Sequence, residues 1–534
     1  MGARTQRHVA RPATAWAVLL SVALAGPAAE AQGASLSEQE ARGKAIFLTG
    51  ESPSGRDITA YVGQAAVAVS ASAMPCASCH GSDGLGRPEG GVIPSDITWR
   101  ELTKSYGAVS PSGRARPAYT EQSLARAIRT GMDAGDARLD VSMPRFRMHA
   151  EDMADLIAYL KRLEQTLDPG LSETAITLGT LLPEGERSAA FGAAVKQVIL
   201  AYFADINAQG GIYRRRLELK AMGAPTRDLV LARGQALIES GEVFALVAAM
   251  TLGLEHEFDS LIEQRGVPLI GPFTAFPPSA DALHRFTFYL YGGLGTQAQA
   301  LSHYASTKLV PGGARIGVVY PGDEKIRAIA QALQAQAKTR QRPLPLLREY
   351  PKGRTDAAAV AAELERKHVD TLLFLGDGAA LEALVSAGAN RGWTPYVLTP
   401  GVLAGEAVFD LPPALDGRVF LAYPTGPADY SKAGAEEFNE FRRRHGLARE
   451  HTTTQIAAYA AVKLLAEGLK AAGRGLSREK LVLALESLYQ FETGLTPKLT
   501  YGPNRRIGAR GAHIVKVDLQ NKRLHPGATW VEAD

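Results

Sequence analysis

Thiol is the scarcest chemistry in this chain. Only two cysteines occur among 534 residues, Cys76 and Cys79. A disulfide framework is therefore excluded, and so is a zinc site built on two thiolate pairs. An excess of one charge is also missing, since 59 Lys and Arg face 55 Asp and Glu, dispersed along the chain, for a net of +4. A binder of nucleic acid driven by counterion release needs a concentrated basic surface, so that class is set aside. After the N-terminus no segment is continuously apolar for about 18 residues, and no membrane span is expected in the mature chain. There is no internal repeat of fixed period and no low-complexity tail. P-loop, HExxH and nucleophile-elbow signatures are missing as well. Gly376-x-Gly378 lacks the third glycine and the later acid of a dinucleotide fingerprint.

What is present is ordinary globular material, 46% hydrophobic and 21% charged, long enough for two to four domain-sized units. Arg4, Arg7 and Arg11 precede an apolar stretch from Ala13 to Ala25, followed by Pro27 and Ala29-Glu30-Ala31. Basic, apolar and small-residue regions in that order predict a secretory signal over residues 1–31, cleaved after Ala31. The apolar stretch is shorter than the roughly 20 residues that span a bilayer, which makes an uncleaved anchor the weaker reading. The mature protein is expected to be periplasmic and close to neutral.

Residues 36–167 read as a first unit. A helix is expected from Ser37 to Phe47, and Met153, Leu156, Ile157, Leu160 and Leu163 mark a closing helix by their i, i+3, i+4 spacing. Asp168-Pro169-Gly170 is a breaker cluster. From 172 to 534 short apolar runs alternate with helix-length segments. Strands are expected near Ala175, Leu217, Val243, Pro268, Arg315, Thr371, Tyr396 and Val419, and long helices over Ala189–Ala208, Thr452–Ala472 and Ser477–Tyr489. Such alternation implies parallel sheets covered by helices, and a stretch of roughly 360 residues implies two lobes with a cleft between them.

Cys76-Ala77-Ser78-Cys79-His80 is the attachment sequence of c-type haem. Two thiols one helical turn apart can each add to a vinyl group of one porphyrin, and the next imidazole then lies under the iron. A zinc site would want further ligands that the chain lacks. A thioredoxin-like pair would open a helix after a strand, whereas Met74-Pro75 precedes this one in a small-residue loop. Candidates for the sixth iron ligand are Met132, Met143, Met148, His149 and Met153. Met143 is preferred because Pro144 fixes the loop that presents it, while Met153 falls on the apolar stripe of the closing helix. His/Met ligation would close the iron and suit electron transfer.

Residues 36 to 165 resemble the mono-haem class I cytochromes c, through Gly43 and Phe47, Cys76 to His80, Gly81-Ser82-Asp83-Gly84-Leu85-Gly86, Tyr119 to Gly131, Met143-Pro144-Arg145-Phe146 and Ala158-Tyr159-Leu160. The resemblance implies a small all-α domain with one covalent haem c on Cys76 and Cys79, and His80 and Met143 as axial ligands. Residues 172–534 resemble the periplasmic branched-chain amino-acid-binding proteins, the solute receptors of ABC importers, through Ile206-Asn207-Ala208-Gln209-Gly210-Gly211-Ile212, Glu242 to Ala249, Gly266 to Ile270, Gln297 to Tyr304 and Thr454 to Glu467. This implies a two-lobed α/β fold of the type I periplasmic binding class, a small-molecule solute and an importer permease as a partner.

The loops expected to line the cleft depart from that family. Thr251 and Thr274 are the hydroxyls left to hold a carboxylate, Asp377 is the one acid in the second lobe, and Phe273 and Tyr423 are aromatic platforms for a neutral or aromatic solute. Glu255-His256-Glu257, Arg214 to Arg216 and Arg442 to His445 read as solvated faces. The functional expectation is an exported electron-transfer and solute-binding protein without turnover, partnered by a dehydrogenase or oxidase. The alternatives are a carrier for a periplasmic quinoprotein dehydrogenase with the binding fold as docking module, a redox-coupled solute sensor, and a haem oxidoreductase.

Overall fold

The computed structural model describes residue 2 and residues 36–533, except 87–90, 110–112, 114, 166, 187, 252, 279–283, 311–312 and 354–355. The expected export signal, 1–31, lies outside the described residues but for residue 2.

Two crossed helices frame the N-terminal unit. Glu38–Thr49 begins at Ser37, whose hydroxyl accepts the Glu40 N–H while the Glu40 carboxylate accepts the Ser37 N–H. This reciprocal cap satisfies two donors that a helix start would leave orphaned. The closing helix, Ala150–Arg162, crosses where Gly43 faces Asp155. A Cβ at position 43 would stand 1.9 Å from the Asp155 carbonyl oxygen, so the backbones meet only because glycine is there. Arg42 ties the crossing with two hydrogen bonds to the Asp155 carboxylate, at 2.7 and 3.1 Å. Phe47 and Tyr159 are both buried in this core, ring centroids 5.5 Å apart.

The unit also carries a small antiparallel sheet that the sequence reading did not include. Thr59–Val62 pairs with Val67–Ser70, and Arg145–Arg147 adds to the other edge with Ala60 opposite Phe146. Val67–Ser70 is largely exposed, so it shows no alternation of buried and exposed positions to betray a strand.

Beyond residue 171 the chain builds two sheets. The first is parallel throughout, in the order Ile507–Ala509, Thr287–Tyr291, Leu269–Ile270, Ala245–Val247, Ala175–Pro183, Arg216–Ala224. The second runs Leu346–Tyr350, Ile316–Pro321, Thr371–Phe374, Tyr396–Pro400, Val419–Tyr423, and then adds two antiparallel strands, Gly511–Asp518 and Arg523–Glu532. The chain passes between the sheets after Tyr291, after Tyr423 and after Ala509. The expected two-lobed α/β architecture is present, with the terminal antiparallel strands as an addition. Ala189–Ala208 is long and apolar enough to cross a membrane by length and composition. Here Val195, Val198 and Ile199 are fully buried in the core of the first lobe.

A tight seam joins the two parts. The Asp168 carboxylate accepts the Arg478 N–H at 2.6 Å, and the Arg478 guanidinium donates to the carbonyls of Val243 and Phe244 at 2.8 and 2.9 Å. The Ser477 hydroxyl donates to Asp83 at 2.7 Å. Gly170, at φ 77°, lies so close to the first sheet that a Cβ would stand 2.1 Å from the Phe244 nitrogen. The breaker cluster is thus packed and is not a free tether. Arg215, expected on a solvated face, is buried and donates to the carbonyls of Ser172 and Arg474. Arg444 and His445 pair with Asp205.

Gly43→Ala tests the helix crossing. Overpacking at such a contact costs about 1–3 kcal/mol, and native-state hydrogen exchange of residues 38–49 and 150–162 should speed up accordingly. Unchanged protection would show that the helices do not meet there.

Candidate functional site

Cys76–His80 forms a short helix with Pro75 at its N-cap, and its two cysteines are not joined to each other. The pair opens this helix, which sets the two thiols one turn apart as expected, and Met74-Pro75 precedes it outside any helix or strand. What precedes it is the 3-10 turn Ala71–Ala73, with no parallel strand leading in. Burial pushes the Cys76 thiol up to about 12, the opposite of the poised thiolate that a redox pair needs. His80 is buried, with Nδ1 2.9 Å from the Ser95 carbonyl oxygen. A carbonyl can only accept, so Nδ1 carries the proton and Nε2 is left to ligate. Burial also lowers the His80 pKa and favours the neutral ring.

Cys76, Cys79, His80 and Met143 line one cavity of about 850 Å³, a volume typical of cofactor sites. Phe47, Leu85, Leu124, Ile128, Phe146 and Leu160 make much of the remaining wall apolar. Of the five downstream candidates, all among the described residues, Met143 alone is in that wall. Met153 is core, His149 caps the closing helix, and Met132 bridges to Arg138. Arg145 holds the Met143 loop in shape by donating to the carbonyls of Leu139 at 3.1 Å, Asp140 at 3.2 Å, and Met143. Gly131 makes room for that guanidinium, since a Cβ there would stand 1.8 Å from its Nε. Two thiols one turn apart, a neutral imidazole nitrogen, a thioether and an apolar wall are a donor set that fits a covalently attached haem.

The second site lies at the carboxyl ends of the strands, where the loops of both sheets face each other. Thr251 and Thr274 come together there, but around an acid of the chain itself. Their hydroxyls donate to Glu255 at 3.1 and 2.8 Å. Lys325, from the helix Glu324–Thr339 of the second lobe, reaches across to the same carboxylate and donates to the Gly253 carbonyl at 2.6 Å. Glu255 is therefore buried, contrary to the solvated face expected of Glu255-His256-Glu257, while His256 and Glu257 are exposed. Burial disfavours its charged form, yet Lys325, Thr274 and its own backbone N–H outweigh burial and hold the carboxyl below its ordinary value.

Comparison with known proteins now bears on both sites. The family model for periplasmic binding proteins matches residues 175–523, and that for cytochrome c matches 65–164. The chain belongs to the periplasmic binding protein family. Among solved structures it is similar to the substrate-binding protein of a fatty acid ABC transporter from Thermomonospora curvata, at 18% identity and TM-score 0.50 over 69% of this chain and 94% of that one. It is similar also to a leucine binding protein from Thermotoga maritima MSB8, at 16% and 0.52 over 67% and 99%, and to a type 1 periplasmic binding protein from Bordetella pertussis Tohama I, at 16% and 0.52 over 67% and 100%. At these identities the likeness establishes the fold. A search of curated proteins returns no match. The cytochrome c family implies haem c, and both families are typically periplasmic.

The other expected contacts of this periplasmic binding protein have local explanations. Asp377 is exposed and caps the helix Gly378–Ala389, accepting the Ala380 N–H at 2.9 Å. Tyr423 lies against Gly401, where a Cβ would stand 2.3 Å from its ring. Phe273 is half-buried, edge-to-face with Phe191 at 5.3 Å. Sequence reading missed Glu255 and Lys325, because one residue of a polar run turned inward and a lysine 70 positions away leave no local pattern.

The sign of the Glu255 linkage is fixed by its lowered pKa. Its stabilisation is complete above the ordinary value of 4.5 and is lost as pH falls through the lower folded value. Acid unfolding of Glu255→Gln should lose that component, so that variant and wild type converge at low pH and diverge near neutrality. Parallel curves would contradict it.

Proposed function

We propose that the chain is an exported electron-transfer protein that also binds a small solute, without turnover of its own. Residues 1–31 are the export signal, 36–167 carry one haem c, and 172–534 are the solute receptor. Cys76 and Cys79 would attach the haem covalently, and His80 and Met143 would hold its iron. The observation that carries this reading is that these four side chains line a single, largely apolar cavity.

When bound, haem c with His/Met ligation supplies reversible one-electron transfer at a raised potential. The chain's residues do the rest. The Ser95 carbonyl orients the His80 ring, Arg145 presents Met143, and Leu124, Ile128 and Leu160 keep water from the cavity. His80 and Met143 would both hold the iron of a bound haem, which favours a carrier over an oxidoreductase. The redox partner is a periplasmic dehydrogenase or oxidase, of quinoprotein type in the nearest alternative. The receptor part takes a small molecule, as the relatives named for leucine and fatty acid do, and an importer permease is its partner if it feeds transport. A redox-coupled sensor is supported by one contact, that of Ser477 with Asp83 in the loop after His80.

Met143→Ala should lower the potential of the purified holoprotein by more than about 59 mV, a tenfold change in a one-electron equilibrium, while Met148→Ala should leave it in place. A potential indifferent to Met143 would remove it from the iron.

A further inference from the structure

Glu255 sits in a complete anion site. One carboxylate oxygen accepts the Thr251 and Thr274 hydroxyls and, at 3.2 Å, the Gly253 N–H, while the other faces the Lys325 ammonium. The Phe276 N–H donates to the Thr274 oxygen at 2.9 Å, which leaves the hydroxyl proton directed at Glu255. Lys325 stands in the first turn of its helix, where a cation opposes the helix dipole. Its place is explained by what it reaches, which is an acid on the other lobe and a carbonyl beside it. Glu255 opens the helix Glu255–Arg265, where a negative charge is favoured.

Two hydroxyls, an amide and an ammonium converging between two lobes are what a solute carboxylate would use. In this chain all four are engaged by its own side chain. A solute carboxylate would bring a second negative charge beside the buried Glu255 carboxylate, where the two would repel.

We propose that Glu255 is a resident carboxylate that fills this seat, closes it to free carboxylates, and restricts the cleft to solutes without one. This deepens the solute-binding reading above and rests on it. Neutral molecules meet that restriction, and Phe273, half-buried against Phe191 beside the seat, suits an apolar or aromatic group.

Acetate is the probe. Thermal unfolding of full-length holoprotein is followed in acetate and in chloride at equal ionic strength, for wild type and for Glu255→Ala. The midpoint of Glu255→Ala should rise by roughly 2–4 °C for each tenfold of acetate above its Kd, and that of wild type should not move. A wild type that acetate stabilises equally, or a folded Glu255→Ala that ignores acetate, overturns the proposal. If Glu255→Ala does not stay folded, its refolding yield in acetate against chloride gives the same reading, and equal yields overturn it. Calorimetry with leucine is the second arm: wild type should give no isotherm, and binding there overturns the exclusion. Acetate rescue of the variant in a protein that takes up no neutral solute supports the filled seat and defeats the solute-receptor reading instead.

Discussion

Two thiols and an imidazole on one turn of helix impose the main constraint on the N-terminal unit. A planar group tethered at two points and ligated by the next residue would have no freedom to adjust, so the surrounding chain would have to close around it. The closure rests on the crossing of Glu38–Thr49 with Ala150–Arg162, which glycine at position 43 allows to be a backbone contact. Phe47 from the first helix and Leu160 from the second then reach the same cavity wall. The opposite side depends on a polar device. Arg145 gathers three carbonyls of the Met143 loop, and the strand Arg145–Arg147 is itself pinned to Thr59–Val62. The added hairpin thus has a physical role, because it fixes the segment directly after Met143-Pro144.

The same economy joins the unit to the periplasmic binding domain. Arg478 presents its backbone N–H to Asp168 and its guanidinium to two carbonyls of the first sheet, so one residue bonds to the end of the first unit and the core of the second. Burial pushes the Asp168 carboxyl up and the Arg478 guanidinium down, the cost of placing both in a dry seam. Such contacts contribute orientation more than stability. Their effect is that the helix Arg478–Glu486 starts beside Asp83, three residues after His80.

Legibility from sequence followed the range of the interactions. Helix ends were readable where a cap is local, as at Ser37 and Ser477, whose side chains accept N–H groups within their own first turn. The attachment motif was readable because its chemistry is contained in five consecutive residues. Thr287–Tyr291, Leu346–Tyr350 and the last three strands were not anticipated. Arg523–Glu532 is almost wholly exposed and shows no burial alternation. Glu255 and Arg215 were misread for a related reason: each belongs to a polar run, and the partners that draw it inward lie far along the chain. Thr251 and Thr274 lie together because both hydroxyls bond the Glu255 carboxylate, a partner no local pattern announces.

The most direct test of the account is the intact mass of the exported, purified protein under denaturing conditions, with Cys76→Ala and Cys79→Ala alongside. The account predicts a mature chain beginning after Ala31 that carries one haem, retained on denaturation, and complete loss of covalent haem when both cysteines are replaced. A chain at its bare polypeptide mass, or a haem released by denaturant from the wild type, would contradict it.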